Sequence, residues 1–124
     1  MDDPQIAEVA DLVSGLFTAL SEGDVTWFEQ YLLCEDAATH IGLGEAHWRT
    51  SAELIQALGE QFASEPMRWR AANPVYLHHG DAVCVADRPV VSFDDDSELS
   101  CRVTLLFVRD RRWKLAHTHL SVGS

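Results

Sequence analysis

Two histidines, His117 and His119, stand two residues apart in the C-terminal stretch RRWKLAHTHLSVGS. In an extended strand that spacing puts both rings on one face of a sheet. Such a pair is suited to proton transfer, to metal ligation or simply to packing, and the face it occupies decides which. A metal would need a third and a fourth donor. His40, His78 and His79 are present, but the chain has no H-E-x-x-H and no Cys/His spacing, so no metal is expected. A second constellation is Asp87 with Arg102, in the apolar segments AVCVADRPVVSF and LSCRVTLLFVR. If Asp95 and Asp96 form the centre of the turn between these segments, Asp87 falls opposite Thr104 and Pro89 opposite Arg102. Asp87 and Arg102 are then diagonal neighbours on one face, roughly 7–8 Å apart at the backbone and bridgeable by an arginine. An acid and a base on a mostly apolar face form either a structural salt bridge or a polar pair that orients a ligand. In the second case Arg102 would grip an anionic or carbonyl group. Asp87 would be the general base if burial raised its pKa.

The next hairpin decides the histidines. A two-residue loop at Asp110 and Arg111 sets Arg102 opposite His119 and Thr104 opposite His117, with both rings beside Asp87. A three-residue loop through Arg112, with a bulge, turns the histidines outward and brings Thr118 and Leu120 to the inner face. No Asn-Gly or Asp-Gly enforces a tight turn, so both registers stay open at this level.

The elements that must hold these residues follow from periodicity. Asp3 and Pro4 signal a helix start, and Ile6, Val9, Leu12, Val13, Leu16, Phe17 and Leu20 recur at helical spacing until Gly23. Asp24 caps a short second helix, and DAATHIGLG is a short strand closed by glycines. Thr50 and Glu53 form a capping box for a third helix that stops before Pro66. After Pro66, MRWRAANPVYLHH, AVCVADRPVVSF, LSCRVTLLFVR and WKLAHTHLSV are expected to be four long strands in antiparallel meanders. The expectation is a single α+β domain over residues 1–124, with three N-terminal helices covering one face of a curved antiparallel sheet.

The composition sets limits. The chain has 124 residues, 47% of them apolar, and a formal net charge of -11 from 20 acidic and nine Lys and Arg residues. Such a surface is unsuited to nucleic acid or anionic lipid, and no nucleic-acid or membrane partner is expected. The acidic start MDDPQIAEVADL lacks the basic region of an export signal. Cys34, Cys84 and Cys101 form no C-x-x-C and sit among apolar neighbours, which fits reduced thiols in a cytoplasm. The run DDDSE lacks the glycine and spacing of a calcium loop and reads as a solvated turn. Trp27 and Trp69 read as core. With no G-x-G-x-x-G, P-loop or nucleophile elbow, no nucleotide cofactor is expected.

The order of elements resembles the nuclear-transport-factor-2-like superfamily, and within it the SnoaL-like branch. The sharpest likeness lies in RWKLAHTHLSVG, with its H-x-H-x-S ending, and in GDAVCVADR, a strand that starts at a Gly-Asp turn and carries an acid. The resemblance implies a cystatin-like cone: a bent sheet around helices, an apolar cavity with a few polar groups, and usually a dimer. It implies no single reaction, since the superfamily holds isomerases, cyclases, dehydratases and the association domain of calcium/calmodulin-dependent kinases. It favours the longer second hairpin, with outward histidines and with Thr118 and Leu120 in the cavity. The kinase domain carries arginine where this chain has Leu120, so the departure makes this pocket more apolar. Glu45 and Trp48 would lie near the cavity opening, Trp48 offering a flat wall for a ligand.

The resulting expectation is a cytoplasmic homodimeric pocket protein binding a small, largely apolar molecule through Trp48, Asp87, Arg102, Thr118 and Leu120. One alternative is an isomerase or cyclase with Asp87 as catalytic base, for which Tyr31 and Tyr76 supply no evident donor pair. Another is a pure assembly module whose cavity is filled by side chains.

Overall fold

A computed structural model describes residues 3–35, 37–42, 48–64 and 66–122. Helix α1 spans Pro4–Glu22. The Asp3 carboxylate accepts the free amides of Gln5 and Ile6 at its start, and Gly23 closes it with φ 72°. Helix α2, Val25–Tyr31, is capped by Asp24. Helix α3, Ser51–Ser64, opens on the expected reciprocal bonds: Thr50 N–H to Glu53 at 2.9 Å and Glu53 N–H to Thr50 Oγ1 at 3.2 Å. Val9, Val13, Leu16 and Phe17 form the buried stripe of α1 and pack on the sheet.

The strands are β1 (Thr39–Gly42), β2 (Trp48–Arg49), β3 (Met67–Arg70), β4 (Val75–His79), β5 (Ala82–Asp87), β6 (Val90–Phe93), β7 (Glu98–Asp110) and β8 (Arg112–Val122). They run in the order β2-β1-β8-β7-β5-β4, and β6 and β3 extend the sheet from the first half of β7. Neighbours are antiparallel except for β1, which joins β8 in parallel. The sheet is therefore mixed, curved and unclosed. Val83, Val85, Leu105, Phe107 and Leu115 fill the core on its inner face against the helices.

Three local features position the site residues, and the first two depart from the expected strands. The two segments expected to run continuously after Pro66 are each broken. One breaks between β3 and β4, the other at Arg88 and Pro89 between β5 and β6. A proline has no N–H for a ladder, so Pro74 and Pro89 mark the bends. Asp87 joins the two breaks, accepting the amides of Ala72 at 3.1 Å, Asn73 at 2.9 Å and Arg88 at 2.8 Å.

The turn between β6 and β7 contains three residues, with Asp96 at φ 66°. Aspartate tolerates that left-handed conformation, and Asp95 steadies the turn by accepting the Ser97 amide at 2.9 Å. The extra residue moves the register by one, so Asp87 pairs with Val103 and not with Thr104. Arg102 is thereby turned to the outer face.

Around Arg111, with φ 69°, the chain reverses into β8. A bulge then puts one extra residue, Ala116, between the partners of Leu106 and Phe107. Before it, Trp113 and Leu115 face inward. After it, Thr118 and Leu120 do, opposite Leu105 and Val103. His117 and His119 face outward, and His117 Nδ1 meets the Thr39 hydroxyl on β1 at 3.0 Å. The opening pair is therefore a feature of the sheet's outer surface.

Candidate functional site

Helices α1 and α3 and the inner face of the sheet leave a hollow of about 390 Å³. Its walls are largely apolar, from Leu16 and Phe17 on α1, Leu54 and Leu58 on α3, and Val103 and Leu105 on β7. That volume is at the lower end of pockets that enclose small ligands. Gly42 allows β1 to cross β8 closely at the rim. Its φ is 147°, and a Cβ there would stand 2.5 Å from the Leu120 carbonyl.

Glu60 and Gln61 on α3 give the hollow part of its polar lining, and His40, Arg49 and Thr118 give the rest where β2, β1 and β8 lie side by side. In the β1 register His40 pairs with Arg49 on one side and with Thr118 on the other. His40 is 2% exposed. Its Nε2 lies 3.1 Å from Ser51 Oγ and its Nδ1 3.0 Å from Thr118 Oγ1. The Ser51 hydroxyl donates its only hydrogen to the Leu33 carbonyl at 2.7 Å. Ser51 must therefore accept from His40 Nε2–H, which leaves Nδ1 as acceptor for the Thr118 hydroxyl. The chain of bonds fixes the tautomer. Burial, with the nearby His117, pulls the His40 pKa down to about 4. The imidazole is neutral at physiological pH. Trp69 also lines the hollow, and its buried indole N–H has no acceptor among the described residues.

Of the residues singled out from sequence, Thr118 and Leu120 line this hollow. Trp48 does not: it pairs with Ile41 on the outer face and is 69% exposed, and its neighbour Arg49 takes the inward position. Asp87 and Arg102 do not line it either, and they form no ion pair with each other. Both border a second, open groove of about 720 Å³, shared with His119 and Ser121 on the outer side of the sheet. Glu45 lies outside the described residues. Among the described residues, no group of three or more His, Cys, Asp or Glu is placed to hold a metal. Sequence reading missed His40 and Arg49 as a pocket pair. Strand alternation made each a candidate, but only the pairing of β1 with both β2 and β8 brings them to Thr118.

A bent, unclosed sheet wrapped around helices over an apolar hollow defines the cystatin-like, NTF2-like class of proteins. A family model described as "SnoaL-like domain" matches residues 9–124, and the chain belongs to that family. No curated protein matches the chain. Several solved structures share the fold at low identity. An uncharacterised cystatin-like protein from Caulobacter vibrioides is 14% identical with a TM-score of 0.84, over 98% of this chain and 92% of its own. A candidate dehydratase of the NTF2-like family from Streptomyces avermitilis is 15% identical with a TM-score of 0.83, over 98% of both chains. The CaMKII hub of S. rosetta is 20% identical with a TM-score of 0.83, over 99% of both chains.

Proposed function

We propose that the protein holds a small, largely apolar molecule in the hollow between its helices and the inner face of its sheet. The observation that carries this reading is the unfilled apolar space itself, with a short row of polar groups at one end. Binding there would gain mainly from removal of apolar surface from water, and the polar row would orient the molecule.

The protein acts as a homodimer in this proposal. Val75 and Leu77 on the outer face of the sheet are 63% and 68% exposed, and a second copy would remove them from water. The likeness to a hub favours assembly through the same fold. A pure assembly role is less well supported, because Trp27 and Trp69 leave the hollow open and Trp48 lies outside it. A reducing, cytoplasmic setting completes the reading, supported by Cys34, Cys84 and Cys101 as free thiols. No described helix is long and apolar enough to cross a membrane.

A proton-transfer enzyme is the second reading, favoured by the buried His40–Thr118 pair on the wall and by the candidate dehydratase among the neighbours. Asp87 is not its base in this version, since its carboxylate holds backbone amides. His40 would act through Thr118, and its low pKa makes it a weak base at neutral pH.

Native mass spectrometry tests the first reading by reporting both subunit number and any retained molecule. Ala57 lines the hollow from α3, and Ala57→Phe would fill part of it. This variant is expected to remain a folded dimer and to bind an apolar fluorescent dye at least tenfold more weakly than the wild type. Equal dye affinity in a folded Ala57→Phe protein would remove the hollow as the binding site.

A further inference from the structure

This inference rests on the proposed role of the hollow and specifies the chemistry of its occupant. Arg49, His40 and Thr118 form one row across three adjacent strands, each in register with the next, and all three line the hollow. Arg49 is partly buried, and its side chain makes neither an ion pair nor a hydrogen bond among the described residues; Glu53 of α3 is close enough to feel its charge but is engaged by Thr50. Arg49 is the one Lys or Arg among the described lining residues. Glu60, the one acid there, is exposed and not paired with it. A guanidinium only donates, and it is matched best by a carboxylate.

The other end of the row is equally defined. A free threonine hydroxyl both donates and accepts, but the hydrogen of Thr118 is engaged by His40 Nδ1. Thr118 Oγ1 is therefore left to accept from the hollow. Its partner must supply an O–H or N–H. The neutral ring between the two ends adds no second positive charge, so a single negative charge on the occupant balances the row. The backbones of Arg49 and Thr118 are two strand spacings apart, roughly 10 Å. An arginine side chain laid along the row towards β8 would shorten that span.

We infer that the pocket takes a hydroxylated monocarboxylate, its carboxylate on Arg49 and its hydroxyl donating to Thr118 Oγ1. Its apolar body lies along Phe17, Leu54 and Leu105. Arg49 selects for the acid, and Thr118 selects for the hydroxyl.

The test is calorimetric titration of the wild type, Arg49→Gln and Thr118→Val with 3-hydroxydecanoate, decanoate and 1,3-decanediol. Dye binding and circular dichroism are measured alongside. The wild type is expected to prefer 3-hydroxydecanoate about tenfold over each of the other two. Arg49→Gln should lose the preference for the acid over the diol and keep the preference for the hydroxyl. Thr118→Val should do the reverse. If either variant fails to fold, the ranking of the three probes by the wild type alone decides the matter. A wild type that binds the dye but ranks the probes equally, or binds none of them, overturns this inference and leaves the apolar hollow standing. A wild type that binds neither dye nor probe overturns both.

Discussion

Replacing Asp87 with alanine is expected to destabilise the protein by about 3 kcal/mol and to leave the affinity of the hollow for an apolar dye unchanged. The carboxylate is 7% exposed and accepts three backbone amides. Those amides belong to the two chain breaks where ladder bonding is lost, so the side chain holds the bend that makes the sheet a cone. Ala72 and Asn73 are exposed, and water can replace part of what their amides lose. The estimate is accordingly that of one or two charge-assisted bonds. Asp87→Asn should cost less, because its oxygen can still accept from Asn73 and Arg88 and only the Ala72 amide then faces an NH2 group. Urea midpoints measure the stability, and dye titration of the folded proteins measures the site. An Asp87→Asn protein with the wild-type midpoint but no ligand binding or turnover would place the carboxylate in the chemistry.

Lowering the pH should destabilise the wild type through His40 by up to about 3 kcal/mol. The imidazole of the unfolded chain takes up a proton near pH 6.5, whereas the folded one does so only near about 4. Between those values the unfolded state binds more protons. Stability is therefore complete above pH 6.5, falls as the pH drops through this window, and levels off below the folded value. Burial is the main cause, since His40 would have to carry its charge among Ser51, Thr118 and the apolar wall. His78, at the surface, works in the other direction, whereas its partner Asp3, with a lowered pKa, loses its contribution as the pH falls, as His40 does. The His78 Nδ1–H donates to the Asp3 carboxylate, which raises the His78 pKa and lowers that of Asp3. The His78 contribution is present in the acid range and is lost as the pH rises through the raised value. The measurement is thus a difference: urea midpoints of the wild type and of His40→Gln from pH 7.5 to 4. The variant should lose most of the acid limb. A limb of unchanged steepness would assign it to another group.

The same few residues separate what local sequence determined from what it did not. The caps were legible because each is complete within four residues: Asp3 ahead of Pro4, Asp24, and Thr50 with Glu53. The helical stripes, the α+β class and the curved sheet follow from periodicities read within single segments. Strand registers were not legible, because side chains alternate with period two and a slip of one residue exchanges the faces. Asp96 in a left-handed conformation made that slip in one hairpin and removed Asp87 from the company of Arg102. The bulge at Ala116 made it in the next, sending the histidines outward and Thr118 inward. The row of Arg49, His40 and Thr118 depends on the pairing of β1 with β2 and on the parallel pairing of β1 with β8, where His40 and Thr118 are 78 residues apart in sequence. No local preference encodes that contact; it forms only when the helices and the whole sheet have closed around a common core.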